Sequence, residues 1–181
     1  FLLASLSRNE EAADQYARVA MLLHRNSDYE NAHQYAAEAV NLSPASLNAL
    51  ACKTLTARDV LPAEEVQQLA GELLEATRTT DDPASSSAGF LAYTELYPDN
   101  DDVLTEAEQR LKQLNAMNGV ARIQARKASR YSASGDWDKA AQTLAAATQN
   151  APDLPDILEQ LGEAYHILGK RNDASLSYSN A

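Results

Sequence analysis

Cysteine is nearly absent: the single Cys52 excludes an internal disulfide framework and any cysteine-rich metal site. Glycine and proline are equally scarce, six of each in 181 residues, and β-branched residues are few. These shortages argue against a sheet-and-turn architecture and favour helix. No run approaches the roughly 20 apolar residues that cross a bilayer, and the opening Phe1-Leu-Leu-Ala-Ser-Leu6 has no basic region ahead of it. Positive charge is also short: 15 Lys and Arg against 26 Asp and Glu leave a net charge of −11. Such a field repels phosphate backbones and anionic lipid, so neither nucleic acid nor direct membrane insertion is expected of this segment.

What is present is a repeat. Leu158, Leu161, Gly162, Tyr165, Gly169, Ala174, Tyr178 and Ala181 punctuate two short helical runs at the C-terminal end. A shift of about 34 residues lands on Ala128, Tyr131, Gly135, Ala140, Leu144, Ala147 and Pro152. A third copy has Tyr16, Val19, Ala20, Leu23, Ala32, Ala36, Ala39 and Pro44 at the same internal spacings. From Ala32 to Ala140 is three periods of about 34 plus about six residues, and the turn formers Thr79-Thr-Asp-Asp-Pro-Ala84 are the natural place for that insertion. Small residues let paired helices approach closely, and Pro44 and Pro152, lacking an amide hydrogen, stop the second helices.

This pattern resembles the tetratricopeptide repeat. Its connectors match as well: Asn26-Ser-Asp-Tyr-Glu-Asn-Ala32, Ser134-Gly-Asp-Trp-Asp-Lys-Ala140 and Gly169-Lys-Arg-Asn-Asp-Ala174 are similar to the family's turn, aromatic and alanine sequence. The resemblance implies an all-α, right-handed superhelical solenoid of about five antiparallel helical hairpins. The expected organisation is one solenoid over 1–181: a preceding or capping helix at 1–10, a repeat at 11–45, degenerate repeats at 46–79 and 84–118, a repeat at 119–153 and a shortened one at 154–181. Lys53 and Thr54 stand where the usual large and small pair would be, which makes the second unit degenerate. The chain reads as a fragment of a longer one.

Chemistry is sparse. His24, His33 and His166 are far apart with no i, i+4 pair, and they read as surface or groove residues rather than metal ligands. Cys52 has apolar neighbours in a helical stretch and reads as a small buried hydrophobe. The run Pro98-Asp-Asn-Asp-Asp102 lacks the glycine and glutamate of a calcium loop and instead suits the start of a helix near Val103. Phosphate loops, nucleophile elbows and His-Glu-x-x-His are missing, so no enzyme, metal or cofactor is expected.

In tetratricopeptide solenoids the first helices line a concave groove, and the resemblance places Asp14, Ala17, Met21 and His24 there in the first repeat. It places Arg122, Ala125 and Ser129 there in the fourth, and Asp156, Glu159, Glu163 and His166 in the last. Arg122, Arg126 and Arg130 form a stripe beside Lys127, readable either as an anchor for a partner's carboxylate or as partners of Asp156, Glu159 and Glu163. The family's chaperone-tail clamp is mostly missing, since Ala51, Leu55 and Ala92 hold its earlier positions. The function implied is a non-catalytic scaffold that binds protein or peptide in the assembly of a multiprotein complex. The alternatives are a regulatory or assembly segment of a larger enzyme or envelope export machine, and a self-association module forming homo-oligomers. Compartment stays open between cytoplasm and periplasm.

Overall fold

Long alanine- and leucine-rich stretches interrupted by Gly, Pro and Asp-containing connectors favour helices of three to five turns, because only such connectors compete with the helical backbone. The computed structural model describes residues 2–181, with side chains from Arg8 onward, and every element in it is a helix. They are α1 (Leu2–Arg25), α2 (Tyr29–Leu42), α3 (Leu47–Ala57), α4 (Ala63–Thr79) and α5 (Pro83–Leu96), then α6 (Asp101–Gln113), α7 (Met117–Ala133), α8 (Trp137–Asn150), α9 (Pro155–Ile167) and α10 (Arg171–Asn180). Among the described residues no helix is long and apolar enough to cross a membrane.

The repeated small positions explain the stacking. Ala32, Ala140 and Ala174, early in their second helices, are buried at 0%, 0% and 3% exposure, and Ala20 and Ala128, late in their first helices, are buried as well. At Gly162 a Cβ would lie 2.7 Å from the Tyr178 ring, so glycine there lets that ring lie against the helix. The connectors repeat in conformation as well: Ser27, Gly135 and Gly169 all adopt positive φ, at 63°, 82° and 73°. Each sits after the last turn of a first helix, where a left-handed residue ends the helix and reverses the chain.

Three expectations change. The opening is not a separate helix at 1–10: α1 is continuous from Leu2 to Arg25, because no proline or glycine interrupts it; Phe1 lies outside the described residues. The turn-forming stretch 79–84 leaves only a short connector outside helix. α4 takes up part of it as helix, reaching 17 residues against 14 in α2 and α8, and only 80–82 connect it to α5. Finally, the residues divide into two compact units, one ending at Tyr97 and the other spanning Pro98–Ala181. That boundary cuts the stretch 84–118 assigned to a single degenerate repeat. In the first unit α5 packs on α3 and α4, while in the second α6 packs on α7. Pro98, immediately after the Tyr97 cap, cannot donate the amide that would prolong α5.

Each unit has its own apolar centre. In the first, Ala13, Ala17, Ala20, Ala36, Ala39, Ala49 and Cys52 pack α1, α2 and α3, and Leu47, Ala51, Leu73 and Ala92 join α3, α4 and α5. In the second, Ala125, Ala128, Leu144, Ala147, Ile157 and Leu161 link α7, α8 and α9.

Candidate functional site

The first helices of the first unit expose one face side by side. α1 lies against α3 and α3 against α5, so a groove of about 560 Å³ runs across all three. Its lining shows the repeat register: Asp14, Asn48 and Ala88; then Ala17, Ala51 and Leu91; then Arg18, Cys52 and Ala92; then Met21, Leu55 and Glu95. Successive members are 34 and 40 residues apart, the second interval carrying the insertion. Small Ala17, Ala51 and Ala92 keep the floor open, and Met21, Leu55 and Leu91 make its walls apolar.

The polar groups sit at the rim. Asn48 Nδ2 donates to Asp14 Oδ1 at 3.4 Å, and Glu95 is also engaged. Arg18 and Arg25 are exposed and make no ion pair among the described residues; with Leu22, 58% exposed, they follow one edge of α1. Cys52 Sγ donates to the Ala17 carbonyl at 3.4 Å, and burial pushes its thiol up to about 12, so it is neither a nucleophile nor a thiolate at neutral pH.

Of the residues expected in a groove, Asp14, Ala17 and Met21 line this one. His24 does not: its Nε2 lies 2.8 Å from Asp59 Oδ2, and its ring meets Tyr29 edge-on at 5.3 Å, which turns it toward the connectors. His33 is engaged elsewhere, with Nδ1 3.3 Å from Thr56 Oγ1; burial lowers its pKa, and the Lys53 charge lowers it further. Arg18, Arg25 and Leu22 were not anticipated. Adding 34 and then 40 to the α1 positions would have located the floor, but which charges stay unpaired depends on contacts that spacing does not encode.

In the second unit the equivalent positions carry charge. Arg122 and Asp156 are exposed and 3.8 Å apart, while Glu159, Glu163 and His166 point to solvent along α9. Ser129 turns its hydroxyl back to the Ala125 carbonyl at 3.0 Å, and Arg126 is half-buried and already engaged. The arginine stripe is therefore not a continuous free surface. Arg130 leaves it for Asp101 and Asp99 at the start of α6, and Lys127 binds Glu108 in the middle of α6.

Glu108 is the centre of a polar network. Lys112 donates to its Oε1 at 2.7 Å and Gln124 to the same oxygen at 3.0 Å, while Lys127 donates to Oε2. Gln124 in turn accepts from Asn150 Nδ2 at 2.9 Å, tying α6, α7 and α8 together. Burial pushes the Glu108 carboxyl up, but the three donors and the Lys127 charge outweigh it and hold the group at about 2.

Helix pairs stacked at this period, with small residues at each crossing and left-handed connectors, define the fold of a tetratricopeptide-repeat protein. Solved structures share it along nearly the whole chain. TTC0263, a thermophilic TPR protein of Thermus thermophilus, is similar with a TM-score of 0.60 and 22% identity, over 94% of this chain and 90% of that one. PilF of Pseudomonas aeruginosa is similar with a TM-score of 0.58 and 15% identity, over 95% of this chain and 76% of that one. MamA is similar with a TM-score of 0.50 and 17% identity, over 94% and 90%. No family model matches the sequence, and no curated protein matches it.

Proposed function

We propose that this chain is a non-catalytic scaffold that takes a segment of a partner protein, or a peptide, into the groove across α1, α3 and α5. One observation carries this reading: the groove is continuous, apolar along its floor and open to solvent at the same register positions of three consecutive first helices. An occupant with apolar side chains would take that floor out of water, which favours binding there. His24, His33 and Cys52 fit the non-catalytic reading, since each is held by a neighbour or by burial.

The test is a selection from a displayed random peptide library on the immobilised chain, run beside Leu55→Arg and Met21→Arg. Each variant sets a long cation into the groove from a different helix, and circular dichroism checks its helicity. Enriched peptides that bind the native chain and lose binding to a folded variant support the reading. Enrichment of nothing, or of peptides indifferent to both variants, overturns it.

Self-association is a second reading with its own observation. Tyr16 on α1 is 38% exposed, whereas at its register position in later repeats Leu50 is half-buried and Phe90, Gln124 and Leu158 are 0%, 7% and 8% exposed. Tyr16 stacks on Tyr35 at 5.5 Å beside exposed Val19, leaving an apolar face of the kind a second copy would cover. Light scattering across a concentration series, compared with Tyr16→Glu, distinguishes a mass increase at this face from a monomer.

A further inference from the structure

We infer that the segment entering the α1–α3–α5 groove is acidic and aliphatic: apolar side chains fill the floor, and carboxylates about 10 Å apart meet Arg18 and Arg25. This rests on the groove being a binding site and adds the chemistry of its occupant. Complementarity of charge at the rim decides it. The four charged side chains there are two acids and two arginines, so a simple count gives no sign. Availability does. Glu95 is engaged and Asp14 accepts only a 3.4 Å bond from the neutral Asn48, whereas Arg18 and Arg25 are both exposed without an ion pair among the described residues, so two uncompensated cations face one such carboxylate.

Their placement sets the geometry. Seven residues along an α-helix separate Arg18 from Arg25 by about 10 Å. Leu22 stands between them, 58% exposed, and offers an apolar contact in the middle of the charged edge. A ligand matches this spacing with acids three residues apart if extended or seven apart if helical. Guanidinium groups bind carboxylates in a two-pronged way, which favours Asp and Glu over neutral polar residues at those places.

The chain's charge of −11 opposes an acidic ligand at long range. At physiological ionic strength, charges beyond about 8 Å are largely screened, so the nearby arginines set the preference while the overall field slows the approach. Two solvent-exposed arginine–carboxylate contacts correspond to roughly a tenfold gain in affinity.

The library selection tests this by running native chain and Arg18→Glu/Arg25→Glu in parallel. Both arginines are exposed, and circular dichroism checks that the double variant keeps its helices. The expected result is enrichment of Asp or Glu beside Leu, Ile, Val or Met on the native chain and of Lys or Arg on the variant, with a synthesised native-selected peptide binding the variant about tenfold more weakly or worse by fluorescence anisotropy. Groove-dependent peptides without acidic residues, or equal affinity for both proteins, overturn the acidic preference while leaving the groove reading intact. A selection yielding no peptide sensitive to Leu55→Arg or Met21→Arg removes the groove reading, and this inference with it.

Discussion

Glu108 shows how one residue can hold three helices and expose them to acid. Its side chain is 18% exposed and its carboxyl sits at about 2 in the folded chain against an ordinary 4.5. A depressed carboxyl stabilises the fold above its unfolded value and loses that contribution as pH falls through the folded one. The contribution is on the order of 3 kcal/mol at neutral pH and declines between about pH 5 and pH 2. Glu108→Gln is expected to lower stability at pH 7 and to flatten the dependence of the denaturation midpoint on pH across that interval. An unchanged slope in urea titrations at several pH values would contradict the assignment.

Two glycines make a sharper comparison at the same scale. A Cβ on Gly89 would fall 1.9 Å from Thr77 Oγ1, and Thr77 is fully buried with its hydroxyl donating to the Leu73 carbonyl at 2.7 Å. It cannot move aside without losing that bond. A Cβ on Gly162 meets the Tyr178 ring, which is 49% exposed and free to swing outward. Gly89→Ala is therefore expected to cost about 2–3 kcal/mol and Gly162→Ala about 1 kcal/mol, measured by chemical denaturation. Gly162 was legible in the sequence because it recurs with Ala20 and Ala128. Gly89 was not, since it belongs to a repeat whose signature has decayed and its need comes from Thr77, twelve residues earlier on α4.

Among the elements, α6 has a start that its acidic sequence obscures. Asn100 is the cap: its side chain accepts from the Val103 amide at 3.2 Å, and Asp101 and Asp102 follow in the first turn, where carboxylates meet the positive end of the helix dipole. The neighbouring Asp99 is 92% exposed and reaches only Arg130 Nε at 3.5 Å. Asn100→Ala should cost about 1 kcal/mol and Asp99→Ala close to nothing in thermal unfolding. The sequence indicated a helix start here, but choosing Asn100 over its neighbours required backbone geometry. The same holds for α4, whose three residues beyond the length of α2 and α8 end on Thr79 of the turn-forming stretch, because packing of Leu73, Leu74 and Thr77 rewards helix beyond local preference.

For the molecule as a whole, the charge imbalance sets the response to salt. Several ion pairs are exposed, such as Arg78 with Glu75 and Lys139 with Asp136, and such pairs contribute about 0–1 kcal/mol each. Repulsion spread over a net charge of −11 opposes folding throughout the chain. Screening weakens both, and the excess of like charge makes the second effect the larger. The melting temperature is therefore expected to rise between about 20 and 300 mM sodium chloride, over which the Debye length shortens from roughly 20 Å to 6 Å. A fall would show that the ion pairs dominate.

The helices, their order and the residues at their crossings were determined by the sequence alone, because alanine, connector and proline positions recurring every 34 residues act through neighbours close in the chain. Ala32, Ala140 and Ala174 could be read as buried, and are. Where the stack divides, which arginines stay free and which groove remains open were decided by tertiary structure. Arg122, Lys127 and Arg130 look alike in the sequence, yet each meets a different carboxylate, while Arg18 and Arg25 meet none among the described residues. A charge is free or paired according to what distant segments bring beside it, and local spacing carries no record of that.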